Sequence, residues 1–171
     1  MTGSGRVPGG PHLHVVTRVP APVATVLAAS LDLDVELAAV RRYGVRTGPP
    51  GSRTAGPIVL GETVTWQLRP AGVRVPLHTS RIVELVEDDG EGGAWFIDAM
   101  ERGLFTAFRH EHRLTPAGPD GREGTVLRDD VSWRSPLGVL GRAADAVFVR
   151  RALRTLLLRR NAEIARHLAS G

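Results

Sequence analysis

Between Glu62 and Arg134 the sequence alternates runs rich in β-branched and aromatic residues with turn-forming dipeptides, and after Ser135-Pro136 that rhythm stops. The runs are Glu62–Arg69, Val73–Val86, Ala94–Glu101, Phe105–Pro116 and Thr125–Arg134. Asp89-Gly90 and Asp120-Gly121 are strong hairpin signals, and Ala71-Gly72 and Arg102-Gly103 are weaker ones. Strands joined by such tight turns pair antiparallel. Trp95-Phe96-Ile97 is apolar on both faces, so part of this sheet is covered on both sides. From Leu137 to Leu168 the period is helical. Ala146, Val149, Leu153, Leu156, Leu157, Ile164 and Leu168 recur at three- and four-residue spacing on one face, with Arg151, Arg159 and Arg166 opposite. Ser135-Pro136 supplies a cap residue and a proline at the first helical position. A lone helix with one apolar face, following a ladder of antiparallel strands, buries that face against the sheet.

The N-terminal third completes the order. Residues 1–11 are rich in Gly and Pro and read as a flexible tail, with residues 12–171 as a single domain. His12–Val19 reads as a first strand, ended by Pro20 and Pro22. A short helix follows with Val23, Val26 and Leu27, then a second through Ala39, capped by Asp32 and with Arg41 and Arg42 at its C-terminal end. Gly44 to Gly61 is a loop around one short edge strand. The fold class is α+β: a curved antiparallel sheet of about six to seven strands gripping a long C-terminal helix, with two short helices after the first strand.

Composition narrows the function. The chain has 171 residues, the size of one domain of roughly 100–150 residues or a little more, and 42% of them are hydrophobic. Cysteine is absent, which excludes disulfides, thiolate metal sites and a cysteine nucleophile. The N-terminus has no apolar signal-peptide core, and no run of about 18 apolar residues suggests a membrane span, so the cytoplasm is the default location. Every one of the 22 basic residues is arginine, yet the net charge is only +4 and the arginines are scattered. A nucleic-acid binder clusters its charge and interleaves aromatics, so none is expected as partner. No Gly-x-Ser-x-Gly elbow, phosphate-binding Gly-x-x-x-x-Gly-Lys loop or helical His-Glu-x-x-His is present. Asp129 and Asp130 point to opposite faces of a strand and cannot work as an acid/base pair.

Two stretches carry a family likeness. Gly103-Leu104-Phe105-Thr106-Ala107-Phe108-Arg109-His110-Glu111-His112-Arg113-Leu114 and Gly124-Thr125-Val126-Leu127-Arg128-Asp129-Asp130-Val131-Ser132-Trp133 are similar to two strands of polyketide cyclase/dehydrase-type proteins. Ser135-Pro136-Leu137-Gly138 and the Arg159-Arg160 pair fit as well. Over residues 12–169 the chain thus resembles the START-like, or SRPBCC, helix-grip superfamily. The resemblance implies a deep internal cavity between sheet and C-terminal helix. Members bind lipids, sterols, hydrophobic metabolites or polyketides there; some carry or sense a ligand, others cyclise or dehydrate it. Neither a metal nor an organic cofactor is implied, and a homodimer stays open. Leu104 stands where the family often has proline, and Phe108 and His78 where it has tryptophan. The cavity is therefore differently shaped or more polar, and no relative's ligand transfers.

The polar residues on the inward faces are the candidates. Phe108, His110, His112 and Leu114 alternate onto one face of their strand, and Leu127, Asp129, Val131 and Trp133 onto one face of the next. If the strands pair, Asp129 is placed to hold one of the two histidines, fixing its tautomer and raising its pKa. One reading makes His110 or His112 a general acid/base or a donor to a ligand carbonyl, with Asp129 orienting it. The other makes the three a structural network pinning adjacent strands. A metal on His110 and His112 lacks an evident third ligand, so no metal is assigned. Arg160 lies inside the apolar stripe, either reaching a ligand anion or pairing with an acid such as Asp98. Trp66, Trp95 and Trp133 are candidates to line a pocket, as is His78, which shares a face with Ser80 and Ile82. The leading function is binding or carriage of a small hydrophobic molecule. An aromatase/cyclase-type enzyme acting by proximity and acid/base chemistry is the alternative. An interaction domain filled by its own side chains is a third.

Overall fold

The computed structural model describes residues 5–48, 53–68, 75–118, 123–136, 138 and 145–170. Seven strands form one sheet: β1 (His12–Val19), β2 (Val45–Thr47), β3 (Thr63–Leu68), β4 (Val75–Val86), β5 (Ala94–Gly103), β6 (Ala107–Pro116) and β7 (Thr125–Arg134). Their order across the sheet is β1-β7-β6-β5-β4-β3-β2, with every pair antiparallel. Between β1 and β2 the chain crosses from one edge to the other through α1 (Val23–Ser30) and α2 (Leu33–Val40). The long helix α3 (Arg150–Ala169) packs on β1 and on both short helices.

Local chemistry explains these boundaries. Asp32 accepts a hydrogen bond from the backbone N–H of Asp34 at 2.8 Å and so caps α2. A single 3-10 turn, Arg41–Tyr43, then ends at Gly44, which has φ +71°. At the β4–β5 hairpin Asp89 Oδ1 accepts from the N–H groups of Glu91 and Gly93, while Gly90 and Gly92 take left-handed conformations. Register shifts interrupt the ladder at Trp66/Gln67, Thr79/Ser80 and Ile82/Glu84. Such irregularities bend and twist strands, which curves the sheet around α3.

The element order and class expected from sequence are those observed, with three adjustments. β5 continues through Gly103, so the Arg102-Gly103 turn falls one step later, at Leu104–Thr106. A turn of π-helix, Asp145–Val149, precedes α3, whereas the sequence pattern predicts unbroken α-helix there. Leu156 is exposed, and the face between Leu157 and Ile164 is completed by Arg160 and Asn161. The Ala71-Gly72 and Asp120-Gly121 turns, Leu137 and the Ala146 side chain lie outside the described residues. Residues 6–11, read as a flexible tail, lie along β7: the N–H of Val7 donates to Ser132 Oγ, Arg134 donates to the Pro8 carbonyl and the N–H of Trp133 to that of Pro11. No helix among the described residues is long and apolar enough to cross a membrane.

Candidate functional site

Strand register assembles the site. His112 sits directly opposite Asp129 on β7 and opposite Phe96 on β5; one step along, His110 sits opposite Asp98. Alternation turns all of these toward α3. Asp129, fully buried, is the hub. His110 Nε2 lies 3.0 Å from its Oδ1 and donates to it; the tautomer follows from Asp129 being an ionised, acceptor-only group. His112 Nδ1 approaches the same oxygen to 2.9 Å but without hydrogen-bond alignment. Asn161 donates to Oδ2 at 2.6 Å and to Thr17 Oγ1 at 3.1 Å, so α3 is tied to β7 and β1 through one amide.

Arg160 extends this network toward the short helices. Its Nε donates to Glu36 Oε1 on α2 at 2.5 Å, its Nη2 to the Ser30 carbonyl at 2.9 Å and its Nη1 to Asn161 Oδ1 at 3.3 Å. The same Nη1 is 3.8 Å from Asp129. The acid that captures Arg160 is thus Glu36, not Asp98.

Burial and charge push the titrating groups apart. Burial opposes charge on Asp129, but the two imidazoles outweigh it and hold its carboxyl well below the usual range. Burial, with the neighbouring His110 ring and the Arg160 guanidinium, drives His112 well below its ordinary value. Burial lifts Asp98 to about 6, against the pull of His110 and Arg160. Burial lowers His78 to about 4, with a further push from His110. Arg160 is raised even though burial works against it, because Glu36 and Asp129 face it. The His112 imidazole, held neutral, therefore stands beside an ionised Asp129, and Asp98 takes a proton more readily than an ordinary carboxyl.

These residues back onto a pocket of about 270 Å³ between the sheet, α2 and α3. Phe96, Phe108, Ile82, Val64 and Leu157 give it apolar walls, and Trp66, His78, Asp98, His110, His112 and Arg160 also line it. His78 packs edge-on against Phe108 with ring centroids 5.3 Å apart, and His112 stacks on Phe96 at 4.0 Å. Three buried side-chain atoms among the described residues have no hydrogen-bond partner: Ser30 Oγ, Asp98 Oδ1 and His112 Nδ1. All three belong to residues that line the pocket.

Two sequence candidates fall elsewhere. Trp133 does not line the pocket. It is fully buried in a separate cluster with Leu13, Val15, Val131 and Leu157, where its Nε1 donates to Asp145 Oδ1 at 2.7 Å. Trp95 faces the other side of the sheet, 5.9 Å from the Arg113 guanidinium carbon, because its neighbour Phe96 takes the inward position. Asp129 stands behind the histidines rather than in the pocket wall, so it positions them. Sequence reading missed Glu36, Ser30 and Asn161. Only Asn161 left a signal, a polar residue four after Leu157 and three before Ile164 on the apolar stripe.

A curved antiparallel sheet wrapped around one long helix, with a part-polar pocket between them, defines a helix-grip protein. Solved structures share that architecture along nearly their whole length. The protein TTHA0849 from Thermus thermophilus is similar at 16% identity, covering 94% of this chain and 99% of its own, with a TM-score of 0.61. The KanY protein gives 16% identity, the same coverages and a TM-score of 0.63. A major latex-like protein from Panax ginseng gives 13% identity, coverages of 92% and 96%, and a TM-score of 0.55. The chain therefore has the START-like helix-grip fold that its two strand motifs suggested. No protein-family model matches the chain, and no curated protein matches it in sequence.

Proposed function

We propose that the protein binds a small, mostly apolar molecule carrying one or two polar atoms in the pocket between sheet and helix. The observation that carries this reading is that two orphaned polar atoms, Ser30 Oγ and Asp98 Oδ1, belong to residues of the pocket wall. Buried polar atoms are nearly always partnered. These two belong to one hollow and are what a ligand with hydrogen-bonding ends would complete, whereas His112 Nδ1 faces Asp129. The volume narrows the ligand class. Drug-like sites run from ~300 to 1,000 Å³, and about 270 Å³ equals roughly nine waters at ~30 Å³ each. That favours a compact, ring-sized metabolite over a lipid or an extended polyketide chain.

The direct test has two parts. Native mass spectrometry of freshly purified protein, set against its denatured mass, reads any retained organic adduct. Titration with 2-naphthol, followed by the partial quenching of tryptophan fluorescence that Trp66 in the pocket wall would contribute, reads binding to the emptied pocket. Ser80→Leu pushes a larger side chain into the pocket and is expected to abolish the quenching while the circular dichroism stays unchanged. Naphthol binding unaltered by Ser80→Leu, or no adduct and no naphthol binding at all, overturns the reading.

A second reading, turnover by an aromatase/cyclase-type acid/base mechanism, is supported by the Asp98 carboxyl standing across from His110 in the pocket wall. Replacing His110 by Gln distinguishes the two. Loss of turnover with binding retained supports chemistry at His110; a wild-type protein that binds its ligand and returns it unchanged supports carriage.

A further inference from the structure

We propose that Asp98, His110 and His112 form a site for one divalent first-row transition-metal ion, with a coordination position open to the pocket. Each residue brings one donor atom to within 4.8 Å of the other two. They come from adjacent strands, with Asp98 paired directly to His110 and His112 two residues further along β6. Two imidazoles and one carboxylate suit zinc, iron, cobalt or manganese rather than calcium or magnesium, which prefer all-oxygen sites.

Three features beyond the donor set argue for a built site. Metal-binding histidines normally give their second ring nitrogen to a carboxylate, which fixes ring and tautomer. Asp129 does this here for His110, and it stands 2.9 Å from one nitrogen of His112, leaving the other nitrogen of each ring for a metal. Asp129 is itself held by Asn161. Second, carboxyl groups outnumber cations: Glu36, Asp98 and Asp129 are gathered about the single guanidinium of Arg160, an arrangement that a bound cation would complement. Third, Asp98 Oδ1 has no protein partner. Metal–nitrogen bonds of ~2.0–2.1 Å place tetrahedral ligands about 3.4 Å apart, so donors within 4.8 Å of one another draw in by at most about 1.4 Å. Asp98 is free to turn, since nothing holds that oxygen. Three protein ligands leave the fourth position vacant, which is the composition of a reactive rather than a structural site. An oxygen of the pocket's ligand would fill it.

The test uses the full chain without any tag, stripped with a chelator and titrated with Co²⁺. Visible d–d bands are expected to saturate at one Co²⁺ per chain, and elemental analysis after Zn²⁺ loading is expected to give the same stoichiometry. Asp98→Asn and His110→Gln are expected to abolish the bands, and Asp129→Asn to weaken binding 10–100-fold. His14→Gln, which alters the exposed histidine beside Asp130, is expected to change nothing. Should His110→Gln fail to fold, Asp98→Asn decides alone, because its orphaned oxygen supports no neighbour. Wild-type protein without bands in excess Co²⁺, or bands that survive Asp98→Asn, overturns the site. A pocket that takes 2-naphthol but no cobalt overturns this inference and leaves the ligand-binding reading standing.

Discussion

Trp133 and Asp98 lie on the same inward face of one sheet, yet their surroundings follow opposite rules. Around Trp133 everything is closed: Leu13, Val15, Val131 and Leu157 pack on the ring, and its N–H is spent on Asp145, which also accepts from Ser135 Oγ at 2.5 Å. Around Asp98 a carboxyl oxygen and the Ser30 hydroxyl are buried without partners in residues that line a hollow. Strands β6 and β7 run through both regions, pairing Phe108 with Trp133 at one level and His112 with Asp129 at another. The strands themselves therefore do not impose the polarity. A core built only for stability would show the first pattern throughout. The second is the pattern that the proposed ligand-binding reading requires, stability given up where a bound molecule would restore it.

Substitution should separate the two regions. Trp133→Ala removes a fully buried ring and strands Asp145, and is expected to cost about 3–5 kcal/mol. That is a large part of a domain's total of roughly 5–15 kcal/mol, so urea denaturation should show a sharply lowered midpoint. A loss below about 1 kcal/mol would break the comparison. Asp129 is the satisfied member of the polar cluster and should behave like the closed region. Asp129→Ala removes charged hydrogen bonds to His110 and Asn161, with an expected loss of about 2–3 kcal/mol in the same assay. Asp98→Asn should do the reverse. Its carboxyl is desolvated and one oxygen is unpartnered, so stability should stay within about 0.5 kcal/mol or rise slightly. Two buried acids, seen by the same melt, would then differ by their partners alone.

How far the sequence reveals this contrast depends on distance along the chain. Period-two alternation places His110, His112 and Asp129 on inward faces without any structure, and the pairing of successive strands makes their meeting predictable. The same alternation cannot tell how deep an inward residue lies. That is why Trp133, on the same face as Asp129, reads as a pocket residue although it seals a separate cluster. For Trp95 the run Trp95-Phe96-Ile97 is apolar at every position, so alternation has no phase to report. Asp98 meets His110 only through the β5–β6 register, and that is set by where the Leu104–Thr106 turn falls. Glu36 is 124 residues from Arg160, joined by packing of α2 on α3, and no local pattern encodes it.

The rim of the pocket supplies the smallest and most pH-specific contrast. Glu62 lines the pocket's edge, where it is partly exposed and accepts hydrogen bonds from Arg53 and from the backbone N–H of Val59. The Arg53 hydrogen bond, then that of Val59, lower its pKa from 4.5. A carboxylate whose pKa is depressed by folding adds stability above its unfolded pKa and loses it as pH falls through the lowered one. Glu62→Gln should therefore reduce the melting temperature slightly at neutral pH, and the gap to wild type should close in acid below the lowered value. Because solvent screens such a pair, added salt should shrink the neutral-pH gap as well. Asp98→Asn should show no salt dependence of this kind, since its carboxyl is shielded from solvent. A Glu62 gap that is large and indifferent to salt would mean that the rim is closed like the Trp133 end, and the division of the core into a sealed and an open half would fail there.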